Sequence, residues 1–78
     1  MRDDERMFAI EVLKASGIAP DVREFPRDIG ARLGIHPKRV VYLCEKWADN
    51  HWYDYGVSTD LGWLTPEGIA HFQETVTR

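Results

Sequence analysis

The chain has 78 residues, 44% of them apolar and 29% charged: enough for one small core, too apolar for a disordered segment, and with little room for a buried catalytic pocket. Its formal net charge is −3, so any affinity for nucleic acid has to come from a local gathering of cations. No apolar run approaches the ~20 residues that span a bilayer, the start "MRDDERMFAI" lacks the features of a secretory signal, and the lone Cys44 excludes an internal disulfide; a single cytoplasmic domain over residues 1–78 is expected.

Residues 3–16 predict the first helix. Asp3, Asp4 and Glu5 suit the positive end of its dipole. Met7, Phe8, Ile10, Val12, Leu13 and Ala15 form a broad apolar stripe, and Gly17 is a natural stop. Pro20 and Asp21 mark a turn. Residues 22–25 read as a short extended segment, because the residue before Pro26 is biased away from helix. Pro26 suits the first turn of a second helix through "RDIGARL". Gly34 supplies a left-handed turn. His36 is the cap and Pro37 the start of a third helix that continues to about residue 49. Its inward positions are Val40, Leu43, Cys44 and Trp47, at helical spacing. "WYDYGV" and "LGWL", separated by the polar "STD", read as a β-hairpin, with Trp47 and Trp63 packing it onto the helices. Trp52 and Asp54 share one face of the hairpin, and Tyr53, Tyr55 and Val57 the other. "TPEG" opens a last helix with Thr65 as cap and Pro66 in its first turn; Ile69, Ala70, Phe72 and Val76 face inward.

This order, with its residues, resembles the winged helix-turn-helix superfamily over nearly the whole chain. Ile29 and Leu33 match the apolar residues of the first motif helix, and Gly30 the small residue at the helix crossing. Gly34 matches the turn glycine and Ile35 the plug after it, while Val40 and Leu43 anchor the second helix. "WYDYGVSTDLGWL" looks like the wing. The fold implied is α+β: a three-helix helix-turn-helix core, a hairpin wing and a C-terminal helix. The function implied is sequence-specific binding of double-stranded DNA, with the helix at 37–48 in the major groove. Carried over position by position, the reading residues are His36, Pro37, Lys38, Arg39, Val41, Tyr42 and Glu45, and Lys46 is a further candidate DNA contact. Their chemistry agrees. Arg39 can fork onto guanine, Lys38 can reach guanine or phosphate, Glu45 can accept from cytosine, and Val41 can touch a thymine methyl. Tyr42 can donate to phosphate.

Charge is unevenly spread. Arg23, Arg27, Arg32, Lys38, Arg39 and Lys46 fall within one stretch, opposed there only by Glu24, Asp28 and Glu45. After Lys46 no Lys or Arg follows until Arg78. The motif half therefore suits phosphates, with Arg23 and Arg27 as candidate clamps. The wing differs from its family in having no cation. Its tip, Ser58, Thr59 and Asp60, has two hydroxyls that can bond phosphate and an acid that opposes it. Such a wing is a weak DNA contact, a structural element or a protein contact.

His36, His51 and His71 are too scattered for a zinc site, and Cys44 reads as a buried apolar thiol. No catalytic constellation, cofactor motif or small-molecule site is recognisable, so an enzyme is not expected. The expected role is that of a small transcriptional regulator. The alternative is a protein-interaction module on the same scaffold, motivated by the acidic second half. A homodimer contact, if one forms, belongs to the first helix or the aromatic wing.

Overall fold

The first helix, α1, spans Asp3–Ala15 and has three acids in its first turn and Lys14 in its last, both favourable to the dipole. It was obtained, like every element here, from a computed structural model that describes residues 2–19 and 21–76. The turn expected at Pro20 lies outside those residues. Phe8, Ala9, Val12 and Ala15 form the buried stripe of α1, joined by Glu5, whereas Met7 stays on the surface. No extended segment forms at residues 22–25. Val22 and Arg23 both donate their amides to the Ala19 carbonyl, so the chain turns here, and Val22 is exposed. Phe25 keeps the extended geometry that Pro26 imposes.

Helix α2 covers Pro26–Arg32 and α3 covers Pro37–Asp49. Gly34 has φ of 75°, the left-handed conformation that a side chain disfavours. The Ile35 amide then closes the turn on the Gly30 carbonyl. At Gly30 the helices cross so closely that a methyl group would overlap the Val40 Cγ2. His36 caps α3, its Nδ1 accepting from the Lys38 amide at 3.1 Å. The C-terminus of α3 ends in a Schellman arrangement: Trp52 N–H donates to Trp47 C=O, and His51 N–H to Ala48 C=O. His51 takes the left-handed position there, with φ of 65°.

The hairpin is shorter than its aromatic content predicts. Strands β1 (Tyr53–Asp54) and β2 (Trp63–Leu64) pair antiparallel, Tyr53 with Leu64 and Asp54 with Trp63. Between them, Thr59–Leu61 forms a 3-10 turn packed on α2 and α3. The buried Tyr53 hydroxyl causes this closure by accepting from the Gly62 amide at 2.8 Å. The register puts Tyr53 and Leu64 inward and leaves Trp63 exposed, which corrects the expected packing of Trp63 onto the helices. Helix α4, Pro66–Val76, starts where Thr65 Oγ1 accepts from the Gly68 amide, as its sequence predicts. Phe72 is buried, but Ala70 faces solvent and not the core.

Trp47 stands at the centre of the core. Its ring lies 5.2 Å from Phe8 on α1, 4.6 Å from Phe72 on α4 and 6.3 Å from Tyr53 on β1. One side chain thus ties α1, α3, α4 and the hairpin together. Cys44 is buried beside it, and burial pushes its thiol up to about 12. Four helices and a two-stranded antiparallel hairpin make the described residues a small α+β unit measuring 27 × 26 × 23 Å. No helix among them is long and apolar enough to cross a membrane.

Candidate nucleic-acid interface

Helix α3 buries Val40, Leu43, Cys44 and Trp47, so its opposite line is Lys38, Tyr42, Glu45 and Asp49, all exposed. Pro37 and His36 are exposed at its start, and Val41 is half-buried on one flank. Lys38 makes no ion pair among the described residues. Tyr42, 54% exposed, is the largest apolar surface on this line.

The other flank of α3 faces the N-terminus of α1, and there the two remaining cations are engaged. Arg39 donates from Nε to Asp4 Oδ2 at 2.8 Å and from Nη2 to Asp4 Oδ1 at 3.2 Å. Its guanidinium also lies 5.1 Å from the Tyr42 ring centroid. The hydrogen bonds from Arg39 hold the Asp4 carboxyl below its ordinary range and raise Arg39 above its own. Lys46 Nζ donates to Glu5 Oε1 at 2.9 Å and Oε2 at 3.2 Å, and the Trp47 indole donates to Oε2 at 2.9 Å. Burial works to raise the Glu5 pKa, but the bonds from Trp47 and Lys46 outweigh it and the net shift is downward. Arg32 is also committed, to Glu24 at 2.8 Å and Glu11 at 3.1 Å.

The basic stretch seen in the sequence is therefore not a free basic surface. Its excess of three charges meets three carboxylates from α1: Asp4, Glu5 and Glu11. The two candidate clamps lie apart. Arg23 lines a groove with Glu24, Pro26 and Trp63, while Arg27 is exposed, 3.8 Å from Asp28. Ser58 and Thr59 lie in the connection between β1 and β2. Ser58 Oγ donates to Asp60 Oδ1 at 2.6 Å, and Thr59 opens the 3-10 turn, both half-buried. Val57, in the same connection, is 98% exposed.

Asp4 and Glu5, which suit the helix dipole by their position in the sequence, are the partners of the α3 cations. A signal for Glu5 was present: it lies three and four residues before Phe8 and Ala9, on the buried stripe. A buried indole at Trp47 also requires an acceptor. For Asp4 no local signal exists. Among the described residues, no three His, Cys, Asp or Glu side chains gather as a metal site. No protein-family model, curated protein or solved structure matches this chain.

Proposed function

We propose that the chain is a winged-helix protein that binds double-stranded DNA through α3, acting in the cytoplasm as a small transcriptional regulator. The observation carrying this reading is the joint between α2 and α3. The tight crossing at Gly30 and the left-handed turn at Gly34 accompany a capped α3 whose start and outer line, with Lys38 and Tyr42, lie outside the core. A helix presented this way fits a major groove. Lys38 and Tyr42 supply the central contacts, flanked by His36 and Glu45.

Fluorescence anisotropy with random-sequence duplex DNA tests the proposal at about 50 mM and about 200 mM salt. Binding is expected at the lower salt and weaker at the higher. The pair Lys38→Ala and Tyr42→Ala should weaken it about ten-fold, in line with 1–2 kcal/mol for one or two phosphate and base contacts. Affinity unchanged by both substitutions would remove α3 as the reader.

A second reading, a protein-interaction module, is favoured by one observation. Arg32, Arg39 and Lys46 already have carboxylate partners, and the exposed line of α3 ends in Glu45 and Asp49. Failure to bind any duplex at about 50 mM salt moves the assignment there.

A further inference from the structure

The two ion pairs between α1 and α3 are chemically unlike, and that difference has a functional consequence. The Glu5 side chain is only 4% exposed and holds both Lys46 and the Trp47 indole. Lys46 cannot leave without stranding a buried carboxylate, which is strongly unfavourable. The Asp4–Arg39 pair lies at the surface, with side chains 33% and 23% exposed. Both side chains keep contact with solvent, so another anion can reach the guanidinium and compete for it. Asp4 occupies the Nε and Nη2 edge of Arg39, one of the two edges through which a guanidinium can hold a phosphate. Tyr42 on the exposed line of α3 packs against the same guanidinium.

We propose that Asp4 is a specificity-determining residue: an internal stand-in for phosphate that withholds Arg39 from sequence-blind DNA contact. The inference rests on the DNA-binding reading above. With Asp4 in place, Arg39 has its charge largely offset and adds less to attraction for an arbitrary duplex. It is released only where the remaining contacts of α3 are good enough to hold the helix against the groove. Lys46 stays with Glu5 throughout and takes no part.

The test is anisotropy of the full chain against random-sequence duplex DNA across a salt series, comparing Asp4→Asn with Asp3→Asn. Asp3 is exposed, adjacent on the same helix end, and in no ion pair among the described residues, so its substitution changes net charge equally without freeing Arg39. Asp4→Asn is expected to tighten binding about ten-fold at about 50 mM salt and to steepen the log–log salt slope by about 0.9, one added phosphate contact. Asp3→Asn should do much less, and Arg39→Ala should abolish the Asp4→Asn gain. Equal gains from Asp3→Asn and Asp4→Asn, or a gain that survives Arg39→Ala, overturn the inference and leave the DNA reading intact. No binding by any form, including Asp4→Asn, overturns both. Asp4→Ala, which removes the acceptor altogether, must reproduce the gain, and thermal melts confirm that each variant is folded.

Discussion

Glu5 is the residue on which the packing and the charge of this molecule meet. Its buried carboxylate would be costly there alone, but it accepts from Lys46 and from the Trp47 indole at the core centre. Removing Lys46 leaves the carboxylate buried with one donor. Removing Arg39 leaves Asp4 free to hydrate. Lys46→Ala is therefore expected to cost about 2–3 kcal/mol in urea unfolding, against about 1 kcal/mol or less for Arg39→Ala. Equal losses would mean that Glu5 finds water when Lys46 is gone. The pH dependence follows in sign. Glu5 has a folded pKa below its ordinary 4.5, so its contribution is present above that pH and is lost as pH falls through the folded value. The stability gap between wild type and Glu5→Gln should thus narrow on acidification below about pH 4.5, measured by urea midpoints. Wild type and variant will both keep some acid sensitivity, because Asp4 and Glu11 are shifted downward too.

At the scale of elements, α3 is bounded by two local devices. His36 closes its start and a Schellman arrangement closes its end. The second is imperfect, because His51 rather than glycine holds the left-handed position. His51 makes its recorded tertiary bond through its carbonyl, to Thr65 Oγ1, which any residue supplies. His51→Gly is expected to raise stability by about 0.5–1 kcal/mol, since relief of left-handed strain exceeds the added unfolded-state entropy. A lower melting temperature would show that the imidazole contributes more than this strain. The close approach of α2 and α3 at Gly30 and Val40 is a third device, and it fixes how closely these two helices cross. Arg39 and Lys46 of α3 meet the acidic start of α1.

For the whole molecule, the distribution of apolar surface bears on self-association. Among the large apolar residues of α1, only Met7 is exposed, whereas the β-hairpin, the wing of the reading proposed above, shows Tyr55, Val57 and Trp63. If a second copy of the chain docks, the wing is the surface we propose for it, in preference to α1. Sedimentation velocity over rising concentration is expected to show a dimer that Val57→Asp weakens. A monomer at every concentration, free and with duplex DNA, removes the wing as a contact. The inward folding of Thr59–Leu61 has the same origin as that exposed patch. Tyr53 draws Gly62 inward, so the polar tip packs on α2 and α3 while Val57 is left outside.

The boundaries of the helices were legible in the sequence because short-range chemistry sets them. Pro26, Pro37 and Pro66 sit in first turns, His36 and Thr65 cap, and Gly34 turns, each acting within a few residues of itself. The inward line of α3 was legible for the same reason, since periodicity is local. Residues 22–25 were misread because a proline restricts one neighbour and says little about the three before it. The side of Trp63 was decided by register, which Tyr53 and Gly62 fix across nine residues. The candidate interface depended most on tertiary structure. The sequence by itself determined that six cations gather around α2 and α3. Only the packing of α1 decided which of them stay available, because Asp4 meets Arg39 across 35 positions and Glu5 meets Lys46 across 41. Charge pairing depends on distance in space, and no local pattern in the chain encodes it.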